Sequence, residues 1–228
     1  LLEQDGLMDL AQPVSHYATD LKGTAWDDVS MKNALNMASG LDLEETTAAF
    51  ADPNSWIERF FASIFSQEKG SNWLQIMKDV KPIEGEEPGD RFRYSTAVTQ
   101  ALTLAIQGVT GQSYKDVFNE KIWSKVGANY QFMVGQTADG VAVGGGLVYT
   151  TIEDALKYAM MYTPSWEVVS TDRVITPEIL NRIRTLGDPK AYVGCEEEAY
   201  SLEWTGEKAE RNSSQWDHVW ADGGMFKH

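Results

Sequence analysis

Cysteine and histidine are scarce in this 228-residue chain, and each scarcity excludes a class of site. Cys195 is the single cysteine, which excludes an internal disulfide framework. The three histidines, His16, His218 and His228, lack the spacing to one another or to the cysteine that zinc sites require. We therefore predict no metal site, and no sequence pattern points to a cofactor.

Positive charge and long apolar runs are also lacking. The chain has 19 Lys and Arg residues against 34 Asp and Glu residues, which gives a net charge of −15. Proteins that bind nucleic acid through its phosphates carry a basic face, so we predict no nucleic-acid partner. No run of about 18 apolar residues occurs, and the sequence therefore predicts no membrane-spanning helix.

Aromatic residues are plentiful, at 11% of the chain, and indicate a well-packed globular fold. Helical patterns dominate, because apolar residues recur at helical spacing behind a series of predicted N-cap residues. These predicted N-caps are Ser55, Ser71, Thr151 and Thr176. Strand patterns are fewer: residues 130–134 form one candidate, and the alternating residues 200, 202 and 204 form another.

Residues 88–96, PGDRFRYST, form a polar turn that brings a tyrosine to the start of an amphipathic helix. Apolar side chains follow at helical spacing from Val98 to Val109, and Thr96 is the predicted N-cap. Tyr94 then lies just outside a helix N-terminus, where free N–H groups and the helix dipole favour negative charge. Two interpretations of Tyr94 stay open: a phenolate or proton relay, and a turn tyrosine that packs its ring on the core.

Nucleophile motifs within the chain are weak, since the sequence has no G-x-S-x-G elbow. One S-x-x-K occurs, from Ser66 to Lys69. A working Ser/Lys pair needs both side chains on one face of a buried helix, where desolvation lowers the pKa of the lysine. Gly70 follows at once and no apolar helical run begins, so we interpret this match as chance.

The order of four segments is more informative than any single motif. They are GLMDLAQPVSHY at 6–17, VSMKNALNMASGL at 29–41, PGDRFRYST at 88–96 with VTGQSY at 109–114, and GGGLVYTTIED at 144–154. In this order they resemble segments of the serine β-lactamase and penicillin-binding superfamily, and in particular its class C β-lactamase-like branch. Within that branch, LDLEE at 41–45 and a residue other than Asn at Thr96 resemble the 6-aminohexanoate-dimer hydrolase group and related esterases.

The resemblance implies an α+β fold of the β-lactamase/transpeptidase type, with a helical domain inserted into an α/β domain that is built on an antiparallel sheet. This chain is expected to hold most of the helical domain and part of the sheet, as a truncated internal fragment of one catalytic domain. The expected division is 14–150 for the mainly helical subdomain and 151–228 for the return toward the α/β subdomain.

The resemblance also implies an acyl-enzyme mechanism. In such enzymes the serine of an S-x-x-K helix attacks an ester or amide carbonyl, and the lysine shares the proton transfers with the tyrosine of a Y-x-N motif. Only the tyrosine is carried over here, onto Tyr94. Residues 1–4 have the pattern of a helix tail with Gly6 at C′, so the Ser/Lys pair is expected upstream of Leu1. The third motif, K-T-G or H-x-G, is expected at or beyond Lys227, and the fragment alone is expected to be inactive.

Thr96 stands where the resembled enzymes place an Asn that holds the side-chain amide of β-lactams and D-Ala peptides. A hydroxyl has fewer donors and acceptors than an amide, which favours a small linear amide or ester as the substrate over a β-lactam. Glu44 and Glu45 have two interpretations: contact with a cationic amine of the substrate, or solvated loop carboxylates. Gly144 and Gly145 also have two: close approach of a ligand to the backbone, or a plain tight turn.

Two alternatives stay open for the whole protein: a β-lactamase or D-Ala-peptidase of the same superfamily, and a non-catalytic binding module on that scaffold. A truncated domain exposes apolar surface where the remaining elements pack, so we expect association with a second copy or with a complementing chain. The sequence leaves the cellular compartment open.

Overall fold

The computed structural model describes residues 1–68 and 70–192, which fold into a mostly helical structure with one small sheet. The helices are α1 Val14–Tyr17, α2 Met31–Leu35, α3 Thr47–Ala51, α4 Trp56–Ile64, α5 Trp73–Lys78, α6 Thr96–Thr110, α7 Tyr114–Lys121, α8 Ile152–Met160 and α9 Pro177–Leu186. The strands are β1 Met133–Val134 and β2 Val148–Tyr149. Short 3₁₀ turns lie at Thr19–Leu21, Ala25–Asp27, Trp123–Lys125, Trp166–Val168 and Pro189–Tyr192.

Helix α6 lies at the centre of the larger core, with α1, α2 and α7 packed against it. Three alanines of this helix, Ala97, Ala101 and Ala105, are wholly buried in the core beside larger residues such as Val98. Gly108 allows α1 to approach closely, because a Cβ at this position would lie 1.9 Å from the carbonyl oxygen of Tyr17. The helix ends at Gly111, which adopts the left-handed conformation common after a helix C-terminus.

Most of the predicted helix starts are confirmed. The hydroxyls of Ser55, Thr151 and Thr176 accept hydrogen bonds from the third residue of α4, α8 and α9, with N–O distances of 3.1, 3.1 and 3.3 Å. The predicted cap at Ser71 is wrong, since Asn72 occupies the N-cap of α5. The Asn72 side-chain carbonyl accepts the Ser63 hydroxyl at 3.0 Å, which attaches the start of α5 to α4.

Helix α5 accepts two indole hydrogen bonds in addition to its apolar packing, one from α4 and one from the turn at Ala25–Asp27. Trp56 donates to the carbonyl of Ile76 at 2.8 Å, and the wholly buried Trp26 donates to the carbonyl of Met77 at 2.9 Å. Each indole therefore buries a large apolar ring while its N–H keeps a partner. A smaller core of Val126, Met161 and Ile175 holds α8 and α9.

Residues 1–7 have the geometry of a helix C-terminus. The Asp5 N–H donates to the carbonyl of Leu1 at 2.9 Å, and Gly6 has a φ of +71°. The N–H of Gly6 donates to the carbonyl of Glu3 and that of Leu7 to the carbonyl of Leu2, both at 3.0 Å. These two bonds form a Schellman motif, so the predicted placement of Gly6 at C′ is confirmed.

The sheet is a two-stranded antiparallel pair in which Met133 lies opposite Tyr149 and Val134 opposite Val148. Only the last two residues of the strand predicted at 130–134 are in β1, and the strand predicted at 200–204 lies outside the described residues. Met133 and Tyr149 are 65% and 53% exposed, and Ile152 and Leu156 of α8 are 91% and 60% exposed. We call these four side chains the apolar face.

The division at residue 150 stays a prediction, and the described part of 151–228 contains α8 and α9. None of the helices in the described part of the chain has both the length and the apolar content needed to cross a bilayer.

Candidate active site

Tyr94 lies just outside the N-terminus of α6, as predicted, but the N-cap is one residue earlier than predicted. Ser95 has extended backbone angles, and its hydroxyl accepts the N–H of Ala97 at 3.2 Å. Thr96, the predicted N-cap, is the first helical residue. Tyr94 is largely buried and belongs to the main core. Its ring therefore contributes to core packing under both interpretations of the residue.

The predicted free N–H groups of the first helical turn are used inside the protein. The N–H of Thr96 donates to the carboxylate of Glu45, and the N–H of Val98 donates to the carbonyl of Ser95 at 3.2 Å. A carboxylate at this end of a helix interacts favourably with the helix dipole. The helix N-terminus is therefore bound to Glu45, and the expectation of open donors beside Tyr94 is wrong.

Glu45 binds the same segment a second time through its main chain. Its N–H donates to the carbonyl of Tyr94 at 3.1 Å, while its side chain accepts from Thr96. The two contacts lie on either side of Ser95. The loop after Leu41 therefore attaches to residues 88–96 at two points, and the Glu45 carboxylate is half-buried.

Arg93 is the centre of an ion-pair cluster next to Tyr94. Its guanidinium binds Glu86 with two bonds, Nε–Oε1 at 3.0 Å and Nη2–Oε2 at 2.8 Å, and its Nη1 binds Glu44. The hydrogen bonds to Glu86 are the main cause that raises the pKa of Arg93, burial opposes them, and Glu44 adds to the rise. Glu44 is therefore held in an ion pair, whereas the interpretation as a substrate contact stays a prediction.

A strained turn within residues 29–41 forms hydrogen bonds to residues 88–96, which we call the tyrosine segment. Met37 is almost wholly buried and has a φ of +52°, a region that a residue with a side chain rarely adopts. Its carbonyl accepts the N–H of Arg93 at 2.7 Å, and the carbonyl of Ala38 accepts the N–H of Gly89 at 2.8 Å. The left-handed turn costs about 1 kcal/mol and places two carbonyls against residues 89–93.

Residues 142–146, which we call the glycine segment, pack directly on the first half of α6. A Cβ at Gly145 would lie 2.4 Å from Cγ2 of Thr96, and one at Gly144 would lie 1.9 Å from Oγ1 of Thr103. Helix α6 therefore occupies the space that side chains at these positions need. The contact brings two predicted substrate positions, Thr96 and Gly145, together, although their contact with a ligand stays a prediction.

Gln100 is a buried polar residue beside the candidate site, and no sequence motif singled it out. It is wholly buried, its Nε2 donates to the carbonyl of Ala142 at 2.9 Å, and its Oε1 accepts the N–H of Gly144 at 3.1 Å. The available signal was a polar stripe at i, i+4 and i+7 of α6, formed by Thr96, Gln100 and Thr103. All three are buried, which marks this stripe as the face that receives the glycine segment.

The chance interpretation of the S-x-x-K match fits the position of Ser66. This serine lies two residues after the end of α4, its hydroxyl accepts the N–H of Glu68 at 3.2 Å, and Lys69 lies outside the described residues. Across residues 1–68 and 70–192, the structure has no cluster of three or more His, Cys, Asp or Glu side chains that could hold a metal. The positions of Cys195, His218, His228 and Lys227 also lie outside this range.

The convergence of the segments at 29–41, 88–96 and 144–154 agrees with a comparison against protein families. A family model described as Beta-lactamase matches residues 1–173. The chain belongs to the beta-lactamase family. It is also similar to a 6-aminohexanoate-dimer hydrolase of Paenarthrobacter ureafaciens, with 27% identity in an alignment of 171 positions that covers 70% of this chain and 40% of that protein.

Solved structures of beta-lactamase-like proteins share the fold. A Bacillus anthracis protein assigned as a 6-aminohexanoate-dimer hydrolase matches with a TM-score of 0.63 and 16% identity, over 81% of this chain and 48% of that one. A D-stereospecific amidohydrolase from a Streptomyces species matches with a TM-score of 0.57 and 15% identity, over 81% of this chain and 60% of that one. A class C beta-lactamase mutant matches with a TM-score of 0.55 and 19% identity, over 80% of this chain and 51% of that one.

At these identities the structural likeness establishes the β-lactamase/transpeptidase-like fold and nothing finer. The chain spans 40% of the length of the curated relative, and 48 to 60% of the length of the three solved chains. The named relatives are hydrolases.

Proposed function

We propose that this chain is part of a serine hydrolase that cleaves small linear amides or esters through an acyl-enzyme, with Tyr94 as its proton relay. The observation that carries the proposal is the convergence of three family segments at Tyr94. The carbonyl of Met37 binds the N–H of Arg93 beside it, and Gly145 packs on Thr96 two residues after it. This convergence occurs on the β-lactamase-like fold.

The electrostatics of the described residues support a requirement for one more cation. A serine hydroxyl must lose its proton to attack a carbonyl, and a tyrosinate that takes this proton needs positive charge nearby, because a phenol has an ordinary pKa near 10. The Arg93 cation is already bound to Glu44 and Glu86, and the start of α6 is bound to Glu45. The resemblance to enzymes with an S-x-x-K motif assigns the stabilising cation to the lysine of that motif.

We place that motif on a helix upstream of Leu1. The Schellman motif at residues 1–7 supports this placement, since it is the geometry in which a helix ends. In the proposed cycle Tyr94 takes the proton of the serine and passes it to the leaving amine or alcohol, after which water hydrolyses the acyl-enzyme. The oxyanion donors belong to the nucleophile and to the strand of the third motif, so this chain alone is proposed to be inactive.

The substrate class rests on Thr96. A threonine supplies one hydroxyl in place of the amide that the Y-x-N asparagine offers, and its methyl group is packed at Gly145. The carboxylates of Glu44 and Glu45 are engaged by Arg93 and by the N–H of Thr96. These contacts favour a small linear amide or ester over a β-lactam, and the names of two relatives, an amidohydrolase and a dimer hydrolase, fit an amide.

Labelling and turnover by the full-length protein test this function. We expect a fluorophosphonate probe to label one serine, p-nitrophenyl esters and a linear amide to be hydrolysed, and nitrocefin to be hydrolysed much more slowly. Faster turnover of nitrocefin than of the esters would favour the β-lactamase alternative. Absence of both labelling and turnover would favour a non-catalytic binding module.

The apolar face supports a proposal about assembly. Ile152 and Leu156 on α8 and Met133 on β1 are mostly exposed in the described residues, and exposed apolar side chains of this size suit a surface that packs against another chain. We propose that the chain by itself associates with a second copy or with a complementing chain through this face. Light scattering during size-exclusion chromatography distinguishes such an assembly from a monomer.

A further inference from the structure

We propose that Glu45 is a positioning residue for Tyr94, an inference that rests on the proposed function. Its main-chain N–H binds the carbonyl of Tyr94 at 3.1 Å, and its carboxylate binds the N–H of Thr96. Two attachments on either side of Ser95 fix both the place and the direction of the backbone that carries the tyrosine. A single attachment would leave this backbone able to rotate.

The segment leads directly into α6, so the direction of its backbone sets where Tyr94 lies at the start of the helix. The N–H of Phe92 binds the carbonyl of Ala191 at 2.6 Å, and the N–H of Arg93 binds the carbonyl of Met37 at 2.7 Å. These contacts hold the residues ahead of Tyr94. The Glu45 contacts hold Tyr94 itself and the first residue of the helix, so they govern where the phenol ring leaves the backbone.

The loop that carries Glu45 is itself held on both sides. The preceding residue, Glu44, is paired with Arg93, and the hydroxyl of the following residue, Thr46, caps α3 by accepting the N–H of Ala49 at 3.1 Å. Glu45 therefore acts from a fixed loop onto the tyrosine segment. Arg93 belongs to the same segment, so loop and segment are joined by three neighbouring side-chain and main-chain contacts.

Removing the carboxylate has a defined consequence for catalysis. The N–H of Thr96 loses its partner in a buried place, and the backbone beside Tyr94 gains freedom. A proton relay works only when its oxygen lies within hydrogen-bond reach of the reacting groups, and a displacement of about 1 Å costs about 100-fold in rate. The effect falls on the chemical step and leaves substrate binding nearly unchanged.

The test uses the full-length protein with Glu45→Ala, Glu45→Gln and Glu45→Asp, with the exposed loop variant Glu84→Gln as the matched control. Glu45→Ala is expected to lower kcat by about 10- to 100-fold and to change KM by less than about threefold. Glu45→Gln keeps an oxygen that can accept from Thr96, so its kcat is expected to stay within about threefold of the parent value. Glu84→Gln is expected to match the unmodified protein.

Glu45→Asp covers the case in which Glu45→Ala does not fold. It keeps the charge and withdraws the carboxylate by one methylene group, and its kcat is expected to fall about 10-fold with unchanged circular dichroism. A kcat equal to that of the unmodified protein in both Glu45→Ala and Glu45→Asp would overturn the assignment. An equal loss in Glu45→Gln and Glu45→Ala would overturn it as well, because the hydrogen bond would then not be the cause.

A double-mutant cycle separates this inference from the proposed function. In a Tyr94→Phe background, Glu45→Ala is expected to lower kcat by less than about threefold further, because both changes act on the same group. Undiminished turnover by Tyr94→Phe would overturn the proposed relay. If Tyr94→Phe lowers kcat strongly, and the double variant lowers kcat by the full product of the two single losses, only the role of Glu45 would be overturned.

Discussion

The main-chain N–H of Gly144 donates a hydrogen bond of 3.1 Å to the side-chain carbonyl of Gln100. The amide nitrogen of the same side chain donates to the carbonyl of Ala142 at 2.9 Å, so one buried side chain binds the glycine segment twice. Each such bond contributes about 1 kcal/mol, and a buried group left without its partner costs more. Gln100 lies one helical turn after Thr96, and it thereby holds the glycines beside the candidate active site.

Adding a methyl group to this segment gives the first prediction. Gly144→Ala places a Cβ against the hydroxyl of Thr103, and we expect the free energy of unfolding to fall by about 1–3 kcal/mol in urea titrations of the full-length protein. Gly146→Ala is the matched control, because nothing lies within 4 Å of its Cβ position. Combining Gly144→Ala with Thr103→Ala is expected to recover part of the loss. Equal destabilisation by the variants at 144 and 146 would contradict the packing described here.

The ion-pair cluster around Arg93 gives the second prediction. The side chains of Arg93, Glu44 and Glu86 are 16%, 22% and 11% exposed, which lies between a surface pair and a buried one. Arg93→Lys keeps the charge and loses the two-bond geometry toward Glu86, so we expect the free energy of unfolding to fall by about 1–3 kcal/mol. Arg59→Lys, on the exposed side of α4, is the control and is expected to change it by less than about 0.5 kcal/mol. An Arg93→Lys variant with an unchanged free energy of unfolding would show that the cluster does not stabilise the fold.

Asp154 gives a prediction for the pH dependence of stability. Burial acts to raise the pKa of Asp154, but hydrogen bonds from the main-chain N–H groups of Asn129 and Tyr130 and from Thr151 outweigh it, and the pKa lies below its usual 3.8. The unfolded state therefore takes up a proton at higher pH than the folded state does. The stabilisation is fully present above about pH 4 and is lost as the pH falls through the folded-state pKa.

Thermal unfolding of Asp154→Asn between pH 7 and about pH 3 measures this effect. We expect a lower Tm than that of the unmodified protein at pH 7, and a difference that shrinks below about pH 4 as the carboxylate of Asp154 is protonated. Glu120→Gln, on the exposed side of α7, controls for the general loss of negative charge. A Tm difference that stays constant over the whole range would contradict the role of the ionised carboxylate.

Local features of this chain could be predicted because their causes lie within a few residues. The caps at Ser55, Thr151 and Thr176 and the Schellman glycine Gly6 follow from residue types at fixed short spacing. The N-cap of α6 is Ser95, one residue before the predicted Thr96. Two hydroxyl residues stand side by side here, and only the backbone conformation of Ser95 decides between them.

The site depends on contacts that no local pattern reveals. The carboxylate of Glu45 binds the N–H of Thr96 across 51 residues of sequence, and the carbonyl of Gln100 binds the N–H of Gly144 across 44. Glu45 had two interpretations, contact with a substrate amine and a solvated carboxylate, and neither described a bond to a helix N-terminus. The polar stripe of Thr96, Gln100 and Thr103 on α6 was the one sequence sign of this packing, and only the fold shows which segment this stripe meets.

The central claim is that Tyr94 relays protons in an acyl-enzyme hydrolase, and kcat of Tyr94→Phe in the full-length protein tests it most directly. The change keeps the buried ring and removes only the hydroxyl, so the fold and KM are expected to be preserved. General acid–base catalysis contributes about 100- to 10,000-fold, and a loss of kcat of that size is the predicted result. Tyr130→Phe, at a ring that is 66% exposed, is the control and should match the unmodified protein. A Tyr94→Phe variant with unchanged kcat would contradict the account.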